Sequence, residues 1–195
     1  MHSDTTVDPR VDTSIRPTGA GAALHVRWDR TRAIVNLRGD PDDAGFVNAV
    51  SAAIGLPLPT QSGGCPADAS RRIVWAGPDD WFVLGEPGTQ DALGTALRAA
   101  AAGRHHAVTD VSSGYCVLRL AGAPAREVLA QGCPLDLHPR QFAVGRGAGT
   151  HFFKASVWLW RTDEDAFELL VRTSFAGYVQ ELLRRCTLEC GMIEG

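Results

Sequence analysis

The stretch QGCPLDLHP, residues 131–139, sets a thiol (Cys133), a carboxylate (Asp136) and an imidazole (His138) close together. Such a set does chemistry only if the side chains converge, because a nucleophilic thiol needs a base to take its proton and a third group to orient that base. Cys133 and His138 flank Pro134, and nothing in their spacing forces them together. A zinc site needs about four ligands, usually arriving as two close pairs. Cys186 and Cys190 share a helical face, but no second pair matches them. The cysteines at 65, 116, 133, 186 and 190 are therefore expected to be free thiols. No residue of this chain is expected to be catalytic, to bind a cofactor or to bind a metal.

Two features keep some chemical interest. Asp110, in TDVSSG, is a weak ligand candidate: a carboxylate at a strand end can hold an amine, and Asp before Ser equally forms a turn. His105 and His106 follow an Ala-rich helix, where an imidazole near a helix C-terminus needs no ligand role. The glycine clusters GAGAAL (19–24) and GRGAGT (145–150) do not make a dinucleotide fingerprint. The first has Leu24 at its sixth place, and the second precedes a strand where a helix N-terminus would be needed for the pyrophosphate.

The chain has 195 residues, 45% of them hydrophobic and 21% charged, with a formal net charge of −3. That describes a globular protein with enough apolar side chains for a sizeable core. It offers no broad cationic surface for nucleic acid or acidic lipid. No apolar run approaches the roughly 20 residues that span a bilayer, and the N-terminus lacks the order of a secretion signal, so a cytoplasmic location is expected. Residues 1–22 are rich in Asp, Ser, Thr, Pro and Gly and read as a loose tail before one duplicated domain over 23–195.

From Leu24 the sequence alternates strand and helix. LHVRWD (24–29) and RAIVNLR (32–38) read as a strand pair, and DDAGFVNAVSAAIG (42–55) as a helix burying Phe46, Val50 and Ile54. RRIVWA (71–76) and WFVLG (81–85) flank the turn GPDD, and TQDALGTALRAAAA (89–102) is helical. The second half repeats the order with AVTDVS (107–112), YCVLRLA (115–121), PAREVLAQG (124–132), FFKASVWLW (152–160) and AFELLVR (166–172). A Ser174 cap then opens a helix with the stripe Phe175, Tyr178, Val179, Leu182, Leu183 and Cys186.

The fold class expected is thus α+β, an internally duplicated strand-strand-helix-strand-strand-helix unit with halves at about 24–103 and 104–190. Residue anchors support the duplication. VNLRGDP (35–41) lies over LRLAGAP (118–124), DDWFVL (79–84) over EDAFEL (164–169), and GLPLP (55–59) over GCPLDL (132–137). The first copy of the opening stretch has no Cys, Asp or His, so what both copies share is a turn. Trp158 and Trp160 project to one face of their strand and Val157 and Leu159 to the other, and Trp81 begins a strand. These three tryptophans are the interface candidates. The alternative reading is that helices of the same chain cover both faces.

The segments WAGPDDWFVLG, VTDVSSGYCVLRLAGAPAREVLAQGCPLDLHP and VWLWRTDEDAFELLVRTSFAGYVQELL, from about residue 70 to 185, resemble the gamma-subunit family of heterotetrameric sarcosine oxidases. GCPLDLHP is the most telling piece, and the resemblance makes it a structural signature. It implies the folate-binding fold of aminomethyltransferases, itself an internally duplicated α+β arrangement. It also implies a four-chain flavoenzyme that oxidises N-methylglycine to glycine, reduces oxygen to hydrogen peroxide, and passes the one-carbon unit to tetrahydrofolate or releases it as formaldehyde. Alpha, beta and delta subunits would be the partners. FAD, covalent FMN, NAD and tetrahydrofolate chemistry, and zinc, would belong to those other chains, and this chain would serve assembly with no cofactor of its own. The alternative function is a free-standing tetrahydrofolate-binding protein of the aminomethyltransferase type, in which Asp110 would be the carboxylate that holds the pterin.

Overall fold

The computed structural model describes residues 12–17 and 22–194. Its elements are β1 (Asp12–Pro17), β2 (Leu24–Asp29), β3 (Ala33–Gly39), α1 (Ala44–Ile54), β4 (Arg72–Gly77), β5 (Asp80–Gly85), α2 (Gln90–Ala100) and β6 (His106–Asp110). After a 3-10 turn at Ser112–Gly114 come β7 (Tyr115–Ala121), α3 (Ala125–Ala130), β8 (Gly147–Phe152), β9 (Ala155–Asp163) and β10 (Ala166–Arg172). A second 3-10 turn at Thr173–Phe175 leads into α4 (Ala176–Glu189) and β11 (Met192–Glu194).

The strands build two sheets, a seven-stranded one in the order β11-β1-β2-β7-β10-β9-β8 and a four-stranded one in the order β4-β5-β3-β6. Several strands are apolar on both faces, which a strand needs when both its sides are covered. On β5, Trp81 and Val83 pack with Phe46, Val50 and Leu97 of α1 and α2, while Phe82 and Leu84 pack toward the other sheet with Tyr115, Val117 and Leu170. On β9, Val157 and Leu159 join Val128, Leu129, Val179 and Leu183 of α3 and α4, while Trp160 joins the layer between the sheets. The period of two along each strand thus produces four layers: helices, sheet, sheet, helices.

The expected order strand-strand-helix-strand-strand-helix is present in the first half, whereas the second half places three strands, β8, β9 and β10, between α3 and α4; the leading strands are β2 and β6. Their pairing departs from the expected strand pair of 24–29 with 32–38. β2 runs antiparallel to β7 of the second half, with Val26 opposite Leu120, and β6 runs antiparallel to β3 of the first half, with Val108 opposite Leu37. Each half therefore lends its first strand to the other half's sheet. The two crossings are built alike. Asp29 Oδ1 accepts from the backbone N–H (2.9 Å) and hydroxyl (2.8 Å) of Thr31, and Asp110 Oδ1 accepts from the backbone N–H (2.9 Å) and hydroxyl (2.5 Å) of Ser112. An Asx turn of this kind redirects the chain just after a strand.

Local signals set most boundaries. Asp43 caps α1, its Oδ1 accepting from the N–H groups of Gly45 (2.8 Å) and Phe46 (3.1 Å), and Gly55 ends it in the left-handed region at φ 79°. The buried residues of α1 are Phe46, Val50 and Ile54, as its spacing predicts. Gly39 and Gly122, equivalent in the two anchors, are both required. A Cβ at Gly39 would run into the Phe46 ring, and Gly122 combines φ 127° with a close approach to the carbonyl of Ala23.

Three other expectations are corrected. Within the expected tail, Asp12–Pro17 forms β1, paired with β2 and β11, and Ile15 is buried; residues 1–11 and 18–21 lie outside the described residues. The strand expected over 152–160 is β9, starting at Ala155, and a further strand, β8, precedes it over Gly147–Phe152; the chain reverses at Phe153 and Lys154 with Phe152 paired to Ala155. Ser174 does not cap α4: the 3-10 turn absorbs it, and the helix begins on Ala176 without a side-chain cap. The buried face becomes Ala176, Val179, Leu183, Cys186 and Thr187, and Phe175 and Tyr178 turn outward.

Candidate interaction surface

The residues with reactive side chains are held in local structure. Cys133 is buried, with its Sγ 3.7 Å from the Thr150 hydroxyl on β8. Asp136 Oδ1 accepts from the His138 N–H at 2.9 Å, and the His138 Nδ1 accepts from the Arg140 N–H at 3.3 Å. The imidazole is exposed and the thiol is sealed beneath β8, so they point to different surroundings. Thiol and imidazole are therefore not a nucleophile and its base. The stretch supports the β8–β9 hairpin: the Gly132 carbonyl accepts from the Phe153 N–H at 2.8 Å, and a Cβ at Gly132 would collide with the Phe153 ring. That contact holds Phe153 at φ 52°, a region that bulky residues rarely adopt.

Asp110 is exposed at the end of β6 and forms the second sheet-crossing turn. The Ser112 hydroxyl that it orients accepts in turn from the Ile34 N–H at 2.9 Å, which pins the crossing to β3. His106 Nδ1 lies 2.9 Å from the Arg104 carbonyl, and His105 is exposed in the same loop. Burial pushes the Cys116 and Cys186 thiols up to about 11, away from thiolate formation at neutral pH. Among the described residues, no three His, Cys, Asp or Glu side chains are grouped to hold a metal ion.

The interface assignment needs correction for Trp81 and Trp160. Trp81 is fully buried against Phe46, ring centroids 6.0 Å apart, and its Nε1 donates to the Pro59 carbonyl at 2.7 Å. Trp160 is fully buried between the sheets; its Nε1 donates to Glu168 at 2.9 Å, and the Arg72 guanidinium lies 5.5 Å from its ring centre. Neither can touch a partner in this conformation. Trp158 does share a face with Trp160, but the other sheet packs on that face: Trp158 is half-buried, its ring centre 4.7 Å from that of Phe82 on β5 and 6.2 Å from that of Tyr115 in its own sheet. The covering helices read from the sequence as the alternative do not describe this face.

Among the described residues, the exposed large apolar side chains are Val144, Phe153, Phe175, Tyr178 and Leu188. Phe175 and Tyr178 pack edge to face at the start of α4, centroids 6.2 Å apart. Sequence reasoning placed both in the core stripe and missed them. The signal available was Ala176, a small apolar residue that is buried at the helix start on one face with Val179 and Leu183.

Four layers with two antiparallel sheets and an internal duplication define a class of fold, an α+β arrangement that an aminomethyltransferase shares. In fold the chain is similar to glycine cleavage system aminomethyltransferase T from Bartonella henselae, at a TM-score of 0.57 and 18% identity over 79% of this chain and 43% of that one. Within that class, residues 38–189 match the sarcosine oxidase, gamma subunit family, to which the chain belongs. It is 38% identical over 142 residues to sarcosine oxidase subunit gamma of an Arthrobacter species, covering 72% of this chain and 68% of the relative. It is also similar to a chain of the heterotetrameric sarcosine oxidase of Corynebacterium sp. U-96, at a TM-score of 0.82 and 32% identity over 90% of this chain and 89% of that one. Among the described residues, no helix is long and apolar enough to cross a membrane.

Proposed function

We propose that this chain is the non-catalytic gamma subunit of a heterotetrameric sarcosine oxidase and acts in assembly of the flavin-containing complex that demethylates sarcosine to glycine. Its partners are the alpha, beta and delta subunits, and the cofactors belong to those chains: FAD, FMN and NAD to the two larger ones and zinc to the smallest, with tetrahydrofolate as the one-carbon acceptor. The complex works in the cytoplasm. The observation that carries this reading is the likeness over nine-tenths of the chain to one chain of such a complex. The engagement of Cys133, Asp136, His138 and Asp110 in turns and packing agrees with a role outside the chemistry.

Affinity purification of the tagged chain from its native host is the test. Recovery of larger chains with flavin absorbance, and oxygen uptake that depends on sarcosine, is the expected result. A chain that purifies alone and binds tetrahydrofolate on direct titration would overturn the proposal.

A further inference from the structure

The start of α4 carries features that contacts within the chain do not explain. Between the end of β2 and α4 lies a cavity of about 280 Å³ whose lining includes Trp28, Arg30, Gly177, Gln180 and Glu181. Among the described residues, the Arg30 Nε is buried without a hydrogen-bond partner, and a buried donor left so is unfavourable. Gly177 forms part of the same lining. A Cβ added there would meet nothing within 4 Å, so no neighbour in the chain requires glycine, and glycine is a poor helix former. On the other flank of the same turn stand Phe175 and Tyr178, each 39% exposed.

The charges point to one kind of occupant. Glu181, the acidic group in the lining, is already held by Arg184 at 3.1 Å and Arg185 at 2.9 Å. The Asp29 carboxylate, adjacent in sequence to Arg30, is engaged by Thr31 at 2.8 Å and Arg32 at 3.7 Å. The surface is therefore rich in arginine and short of an acceptor for Arg30.

We propose that the first turns of α4 and the adjoining cavity are a docking surface for another chain of the sarcosine oxidase complex. The docked segment brings a carboxylate to the Arg30 guanidinium and apolar side chains to Phe175 and Tyr178, and its backbone crosses over Gly177. Arginine pairs strongly with carboxylate, aromatic side chains are favoured anchors, and a glycine allows close approach of a second backbone. This inference rests on the subunit reading above.

The test compares co-purification of the other chains with wild type and with the variants Gly177→Gln, Tyr178→Ala and Arg30→Gln, all expressed with the full complex. Leu188→Ala, at the far end of α4 and 49% exposed, is the control. The expected result is at least a tenfold drop in recovered flavoprotein for Gly177→Gln and Tyr178→Ala, a weaker and less salt-sensitive association for Arg30→Gln, and no change for Leu188→Ala. The isolated Gly177→Gln chain should melt at or above the wild-type temperature, because the added side chain enters open space and favours helix. The docking surface is overturned if wild type retains its partners and these variants retain them equally, or if the isolated variants lose stability in step with association. A wild-type dimer of this chain that Gly177→Gln disrupts would assign the surface to a second copy and overturn the proposal. If wild type itself recovers no flavoprotein, the subunit reading falls and the docking surface falls with it.

Discussion

Replacing Asp110 by alanine separates a turn-forming carboxylate from a ligand-binding one. The side chain accepts two hydrogen bonds from Ser112, at 2.9 and 2.5 Å, and Ser112 in turn accepts from the Ile34 N–H at 2.9 Å. Each such bond contributes a net of about 0.5–1.5 kcal/mol. Asp110 is exposed, so water takes over part of what is lost. The expected cost of Asp110→Ala is therefore about 1–2 kcal/mol, or roughly 2–8 °C in melting temperature for a chain of this size. Asp29→Ala, which removes the equivalent pair of bonds to Thr31, should cost a similar amount. Urea denaturation of the isolated chains measures both, and a double-mutant cycle of Asp110→Ala with Ser112→Ala should show coupling of about 0.5 kcal/mol or more. Oxygen uptake by the assembled complex should stay within a few-fold of wild type. An Asp110→Ala variant with unchanged stability and a hundredfold loss of turnover would refute the turn assignment and restore a ligand role.

Cys133→Ser and His138→Ala, made singly, should leave turnover of the assembled complex within a few-fold, whereas loss of a catalytic base costs about 100- to 10,000-fold; steady-state kinetics decides. Trp81→Ala removes a buried ring and the bond to Pro59, and should destabilise the chain by about 3–5 kcal/mol in a denaturant titration. Thiol labelling at pH 8 should reach the half-buried Cys190 first and Cys116 only on unfolding, since burial pushes the Cys116 thiol up to about 11. Arg184 and then Arg185 hold the Glu181 carboxyl down at about 2, from an ordinary 4.5. Its stabilising contribution is therefore full above pH 4.5 and disappears as the pH falls through about 2, so Glu181→Gln should flatten the acid-unfolding curve in that window.

Which parts of this were legible in the sequence follows from which forces are local. The cap at Asp43, the left-handed Gly55, the hairpin between β4 and β5 and the buried face of α1 are each decided within a few residues, and their residue types announce them. The start of α4 is different. Its apolar residues support more than one helical face, and the one that is buried carries Ala176, Val179, Leu183 and Cys186 and leaves Phe175 and Tyr178 in solvent. Trp81 and Trp160 are buried, not exposed for docking, for a related reason: an aromatic side chain on a strand looks the same in sequence whether a partner or the rest of the fold covers it.

By itself the sequence determined the duplication, the order of elements in the first half, and the family, through paired anchors such as VNLRGDP with LRLAGAP and the segment GCPLDLHP. It also showed that the reactive-looking stretch has an unreactive copy. Only the tertiary structure decided that β2 and β6 cross into each other's sheets, that this brings two apolar sheet faces together over Trp160 and Phe82, and that Asp110 serves the crossing. The reason is that strand pairing joins residues some 70 to 95 positions apart along the chain. Backbone hydrogen bonds carry no residue label, so the partner of a strand is set by which faces the whole fold can bury.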